Sequence, residues 1–273
     1  MNASGGLRGR HYMSKNTILL FDVGNTNTKI GFSTCDEIGP SFVLPTDPGG
    51  TADSWGLKLV EICRVAGFSH EDIIGGAVSS VVPPMNPILK NAVKRFFPCE
   101  LKFAPDSIPL GLNNKYERPW EVGADRLVTA FAGRQISDSE NLIVVDFGTA
   151  TTFDCVVGND YMGGLICPGV LSSTKALASG TAKLPHISLE IESDVIRPGK
   201  STADSLNQGL IFGFAAMVEG LSERLGKTLG GEVELIATGG FATKIADVCR
   251  AIDHVEPTLL LDGLRMAWFG IDK

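Results

Sequence analysis

The chain has 273 residues, 44% apolar and 20% charged, with a formal net charge of −7. That length makes two ordinary domains or one large one, with enough apolar matter for a sizeable core. An acidic chain without a basic run offers no footprint for nucleic acid or an anionic membrane, and no apolar run approaches the roughly 20 residues that span a bilayer.

The six cysteines form no CxxC pair, which points to reduced, buried thiols in the cytoplasm rather than a disulfide framework. The four histidines are scattered, which speaks against a zinc site.

Residues 1–12 (MNASGGLRGRHY) are Gly-rich and polar and read as an expression leader ahead of a native start at Met13. ILLFDVGNTNTKIGF (18–32) reads as an apolar strand, a turn and a second strand. The strand ends in Asp22, where a buried carboxylate is costly unless it is paired or binds a cation. Two readings stand at this point: a surface hairpin with a solvated acid, or a turn that offers backbone N–H groups to a phosphate beside an acid that holds a cation.

SFVLPT (41–46) reads as a third strand, and TADSWGLKLVEICRVAG (51–67) as a helix with a Gly stop. DIIGGAVSSVV (72–82) follows as a buried strand, MNPILKNAVKRFF (85–97) as an amphipathic helix and LKFAP (101–105) as a short strand. SIPLGLNNKYERPW (107–120) has loop composition, and EVGADRLVTAFAGRQI (121–136) reads as a helix with an acidic start.

The pattern then begins again. NLIVVDFGTATTFDCVV (141–157) is an apolar strand, an acid, a Gly-Thr turn and another strand. A decorative turn need not recur in the same context, so the repeat indicates a duplicated domain. YMGGLICPGV (161–170) is a third strand, and VLSSTKALASGTAKLP (170–185) a helix and loop. The long helix of 201–226 has Ser201 or Thr202 as cap and Gly226 as stop. Strand, Gly-Gly turn and helix occupy 232–246, and a last helix 258–271. Strands in threes followed by helices, twice over, give an α/β fold with two mixed sheets. The two domains are expected at 13–135 and 136–273.

Three glycine turns after apolar strands, DVGNT, DFGTAT and ATGGFA, resemble the acetate kinase–sugar kinase–Hsp70–actin superfamily. That resemblance implies two ribonuclease H-like domains with an ATP cleft between them and the Gly-Gly turn (238–242) under the adenosine. In detail DVGNTNTK (22–29), EVGADR (121–126), DFGTATTFD (146–154), GGLICPG (163–169) and GKST (199–202) resemble the type III pantothenate kinases from about Lys15 onward.

The resemblance implies ATP-dependent phosphorylation of the terminal hydroxyl of pantothenate, the first step toward coenzyme A, by a cytoplasmic homodimer that coenzyme A does not feedback-inhibit. The nucleotide positions are then Asp22, Val23, Gly24, Asn25, Thr26, Asn27, Thr28 and Lys29, with Thr149. Asp125 matches the catalytic base, and Tyr116, Gly123, Ala124, Arg126 and Thr202 match pantothenate contacts, Thr202 across a dimer interface. Asp146 matches the ligand of a monovalent cation, K⁺ or NH₄⁺, while Asp22 is a partner for the hydrated Mg²⁺ that comes with ATP.

Each position has a plainer reading. Asp125 and Arg126 could be a helix-start acid and a surface base, Thr202 only a cap, and Lys29 a solvated strand residue. Asp125 near a helix start is expected to be ionised by the helix dipole and, at an ordinary carboxylate pKa of about 4, to orient the hydroxyl as much as deprotonate it. The family commonly has Asn-Pro two residues after the tyrosine; here Arg118 precedes Pro119. GKST is no P-loop, because position 194 is Asp where that motif needs Gly. Two alternatives remain: another kinase or phosphatase of the superfamily, and a non-catalytic transcriptional accessory factor.

Overall fold

The computed structural model describes residues 16–179, 189–191 and 193–270. The expected leader (1–12) and the loop after residue 179 lie outside them. By contact the described residues fall into two units. One holds those up to Pro109 together with those from Leu264 on, and the other holds Leu110–Gly263.

The first unit is built on β1 (Thr17–Val23), β2 (Asn27–Ser33), β3 (Ile38–Pro45), β4 (Ile73–Ser80) and β5 (Leu101–Phe103). Their order is β3-β2-β1-β4-β5. β2 runs antiparallel to β1, and β4 parallel to it. Two helices follow strands as the 3.6-residue spacing predicts. α1 (Ala52–Ala66) is capped by the Thr51 side chain and stopped by Gly67 at φ 86°, a left-handed angle that suits glycine. α2 (Met85–Phe96) follows β4. Both cover the face of Leu19, Phe21 and Val23, and Trp55, Leu59, Met85 and Leu89 are fully buried there. Each such side chain contributes about 1.5–3 kcal/mol.

The opposite face of this sheet carries Ile18, Leu20 and Asp22, in register with Gly75, Ala77 and Ser79. It receives the end of the last helix, α7 (Leu259–Phe269). A Cβ on Gly75 would lie 2.5 Å from the Trp268 ring.

The second unit repeats the plan. Its strands are β6 (Asn113–Asn114), β7 (Asn141–Phe147), β8 (Ala150–Val157), β9 (Asp160–Pro168), β10 (Glu234–Gly239) and β11 (His254–Val255). The order is β11-β10-β7-β8-β9-β6; read from the other end, it is the first sheet strand for strand with β6 added. Again the central strand has an antiparallel hairpin partner on one side and a parallel strand on the other. α5 (Thr202–Leu229) and α6 (Ala242–Ala246) cover the face of Ile143, Val145 and Phe147. α3 (Ala124–Ile136) lies on the other face, where a Cβ on Gly133 would touch Val144 and Leu142. α4 (Val170–Ser179) follows β9.

Several local expectations change. α5 continues past Gly226 and stops at Gly230, φ 105°; Gly226 is buried inside the helix, where a Cβ would meet the Gly231 carbonyl at 2.9 Å. α3 begins at Ala124, preceded by a short 3-10 turn at Pro119–Glu121. The 107–120 loop contributes β6, which pairs with β9. Contact divides the chain after Pro109, earlier than the boundary placed at 135/136, because β6 and α3 pack with the second sheet. All six cysteines are free, but Cys35 is exposed rather than buried.

Candidate active site

In the first unit Asp22 is the penultimate residue of β1, half-buried, with Lys29 across the hairpin and Ser79 on the parallel side. The turn between the strands is closed by Gly24 N–H donating to Asn27 O at 3.0 Å. Thr46, just past the end of β3, braces it: its hydroxyl donates to Gly24 O at 2.7 Å and its N–H to Thr26 O at 3.0 Å. Thr28 is buried, its hydroxyl 2.9 Å from that of Thr46, so it fixes the turn from beneath. Val23 is also buried; Asn25, Thr26 and Asn27 are exposed and Lys29 half-buried. The Ser79 hydroxyl, beside Asp22 in the register, is buried without a hydrogen-bond partner among the described residues. A buried orphan of this kind implies a ligand or a water.

The second unit puts Asp146 at the equivalent place, penultimate in β7, with Thr152 and Thr238 as register partners. Two glycines make room for this turn. Gly239 closes β10 at φ 91°, and a Cβ there would lie 2.3 Å from Asp146 Oδ1. Gly169 lies under Thr149, where a Cβ would come 2.1 Å from its carbonyl oxygen. The same carbonyl accepts from Ser172 Oγ at 2.7 Å, which ties the exposed Thr149 turn to the start of α4.

On the α3 face of the same sheet, Asp125 and Arg126 occupy the first turn of α3 behind Gly123, whose φ of −59° and ψ of 141° start the helix without a side-chain cap. Asp125 is half-buried, and its Oδ1 accepts the Arg126 N–H at 2.8 Å. Burial pushes its carboxyl above its ordinary value and outweighs the backbone hydrogen bond and the Arg126 charge that pull the other way. The expectation of an ordinary carboxylate is thereby corrected: desolvation wins over the helix start, and Asp125 is a stronger base than its position in a helix suggests.

Arg126 turns inward. Its Nε donates to Asp154 Oδ1 at 2.7 Å, in an ion pair with side-chain exposures of only 9% and 0%. Tyr161 OH donates to the same oxygen at 2.7 Å, and Thr152 Oγ1 reaches Oδ2 at 3.2 Å. Burial raises the Asp154 carboxyl to about 6 against the pull of those partners. Sequence reasoning left Asp154 and Tyr161 without a role. The available signal was an acid inside the apolar run FDCVV.

Tyr116 is half-buried, and its ring lies against Gly163 (φ 99°), where a Cβ would approach it to 3.1 Å. Arg118, the departure from the family pattern, is exposed and pairs with Glu121 at 3.0 Å. Thr202 is exposed in the first turn of α5, where the cap is Ser201, accepting from Asp204 N at 3.1 Å. The structure thus places Asp125, Arg126 and Tyr116 against the second sheet, and Thr202 at the exposed start of α5. Among the described residues no three His, Cys, Asp or Glu side chains gather as a metal cage.

A sheet duplicated strand for strand, with an acid-tipped glycine turn at the same place in each copy, defines the fold of the acetate kinase–sugar kinase–Hsp70–actin superfamily. Solved structures agree: a ROK family glucokinase from Streptomyces griseus, determined with glucose and AMPPNP, aligns with a TM-score of 0.52 at 11% identity over 91% of this chain and 98% of its own. A protein from Campylobacter jejuni assigned to the Baf family aligns with a TM-score of 0.57 at 20% identity over 93% and 98%. At these identities both speak to fold alone.

The family model for type III pantothenate kinase matches residues 18–224, and the chain belongs to that family. The type III pantothenate kinase of Nitratidesulfovibrio vulgaris (strain Miyazaki F) is 56% identical over 93% of this chain and 97% of its own length. That of Lawsonia intracellularis is 45% identical over 92% and 94%.

Proposed function

We propose that this chain transfers the γ-phosphoryl group of ATP to the terminal hydroxyl of pantothenate, with Asp125 as the base. The observation that carries the assignment of the base is the pair Asp125–Arg126 at the start of α3: one carboxylate oxygen is held by the Arg126 N–H, which leaves the other to accept the hydroxyl proton. As that proton moves to Asp125, the hydroxyl oxygen bonds the γ-phosphorus, the bond from γ-phosphorus to the bridging oxygen breaks, and ADP leaves. The raised carboxyl pKa brings the base nearer the working pH. Little other covalent chemistry is needed, because phosphoryl transfer rests on positioning and charge neutralisation.

The Asp22 turn offers its backbone N–H groups to a nucleotide phosphate, and the exposed Thr149 turn is a second polar turn of the same kind. Asp22 with the orphaned Ser79 hydroxyl suits the water shell of the Mg²⁺ that ATP brings, which supplies charge neutralisation. Asp146, against which only a glycine fits at 239, suits a monovalent cation, K⁺ or NH₄⁺, held by carboxylate and carbonyl oxygens. Tyr116, Gly123, Ala124 and Arg126 line the acceptor's place. Thr202, exposed and not needed as the helix cap, is available to a second copy in the homodimer that the family resemblance implies. No described helix is long and apolar enough to cross a membrane.

The test is ATP- and Mg²⁺-dependent phosphorylation of pantothenate in K⁺ and in Na⁺, for wild type and Asp125→Asn. The variant should lose about 10²–10⁴-fold in kcat, the usual contribution of a positioned base, with ATP binding retained. Folded wild type that phosphorylates a sugar and not pantothenate would shift the reading to a sugar kinase. Promoter binding in a gel shift without any kinase activity would shift it to an accessory factor.

A further inference from the structure

We propose that Asp154 and Tyr161 are positioning residues that set the Arg126 guanidinium so that its Nη2 donates to a carboxylate or amide oxygen of the acceptor. The inference rests on the pantothenate reading above and deepens it.

The geometry of the pair is the reason. An arginine that only neutralises a buried carboxylate commonly closes on it with two parallel hydrogen bonds. Here Arg126 gives Asp154 a single bond, Nε to Oδ1, and that oxygen is shared with the Tyr161 hydroxyl. Thr152 reaches the second oxygen. Three donors from three elements, α3, β8 and β9, therefore hold the carboxylate, and the carboxylate in turn holds the guanidinium. Nη2 is left over: it is buried and has no hydrogen-bond partner among the described residues. A buried N–H on a charged group is costly to leave unpaired, and such orphans in native proteins call for a ligand or water.

The neighbouring backbone fits this role. Gly164 on β9 keeps the space beside Nη2 free of any side chain, since a Cβ there would come within 2.9 Å of Nη2 and 1.6 Å of Phe153 O. Gly163, next to it, receives the Tyr116 ring. Tyr116 and Arg126 thus both sit against the same Gly-Gly step of β9. A guanidinium steered by a partner that never touches substrate is the usual second layer of a binding site.

The test compares wild type, Asp154→Asn, Tyr161→Phe, Arg126→Met and the double variant Asp154→Asn/Arg126→Met. The readouts are KM for pantothenate, KM for ATP, kcat and melting temperature. Asp154→Asn should raise the pantothenate KM by about tenfold, as for loss of one charge-assisted hydrogen bond, with the ATP KM unchanged. In the Arg126→Met background the same substitution should add nothing further. Pantothenol, which lacks the carboxylate, reports the acceptor atom. Its KM stays level in Asp154→Asn if Nη2 meets the carboxylate and rises in step if Nη2 meets the amide, and both results support positioning.

A variant with a lower melting temperature but an unchanged pantothenate KM would overturn the inference, as would penalties that multiply in the double variant. Should Asp154→Asn fail to fold, Tyr161→Phe, which keeps both charges, carries the same comparison at smaller amplitude. Wild type that neither binds nor phosphorylates pantothenate overturns the functional reading itself, whereas active wild type with an indifferent Asp154→Asn overturns only this inference.

Discussion

Gly239 and Gly240 are adjacent in sequence, yet alanine at each has opposite expected outcomes. At Gly239 the backbone is at φ 91°, and an added Cβ would lie 2.3 Å from Asp146 Oδ1 and under 3 Å from the Phe147 backbone. A left-handed angle costs an L-residue about 1–2 kcal/mol, and overpacking against a fixed backbone about 1–3 kcal/mol more. The sum, roughly 2–5 kcal/mol, lowers the melting temperature by on the order of 10 °C in a chain of this size. At Gly240 nothing lies within 4 Å and no positive φ is required. Alanine there is neutral, or stabilises by about 0.4–1 kcal/mol through the unfolded chain. Thermal unfolding of both variants, each in K⁺ and in Na⁺, separates the two effects. Backbone strain lowers the curve equally in both salts, whereas a displaced Asp146 carboxylate also removes any extra stability that K⁺ gives wild type. Equal melting temperatures for the two variants would refute the packing argument. A destabilised Gly239→Ala that keeps the full K⁺ increment would refute the assignment of Asp146 to the cation.

At the start of α5, Ser201→Ala should cost about 1 kcal/mol, the usual loss of an N-cap, whereas Thr202→Ala should leave the melting temperature unchanged and raise the pantothenate KM; the reverse pattern would return Thr202 to a purely structural role. Burial holds the Asp154 carboxyl at about 6 in the folded chain, above its unfolded value near 4. A folded pKa raised in this way gives stability that is complete below about pH 4 and lost as pH rises through about 6. The same proton, taken up as pH falls through about 6, weakens the hold on Arg126 and raises the pantothenate KM. Arg126 stays charged throughout this range, and Tyr161 and Cys155 stay neutral, burial having raised both. Both pH dependences should therefore be absent in Asp154→Asn, as pH-resolved melting and initial rates would reveal.

Local pattern sufficed wherever a residue's partners lie within one supersecondary unit. The two D-x-G hairpins are contiguous, so their strands, turns and acids were readable, as were α1 with Thr51 and Gly67 at its ends. The two-residue strands β6 and β11 were not, because so short a segment carries no periodicity; each is a strand only through the neighbour it pairs with. Gly226 misled for a related reason. A glycine near a helix end reads as a stop, yet this one is kept small by the backbone of Gly231 folding over it. Arg126 and Asp154 are 28 residues apart and meet only when α3 lies on β8, so no spacing rule joins them. Burial then reversed the expected acidity of Asp125, and burial is not written in the four letters GADR.

The Trp268 ring that fills the space over Gly75 has a consequence for how the protein is made. The ring is separated in sequence from the sheet it covers by every strand of the second unit. During synthesis the second unit is complete in the nascent chain before the first one is, although the first began to emerge earlier. Until Trp268 has emerged, the face around Gly75 lacks its tryptophan and exposes apolar surface to chaperones and proteases. A premature stop just short of residue 268 would spare the residues proposed for catalysis and still leave the phosphate-turn unit unfinished.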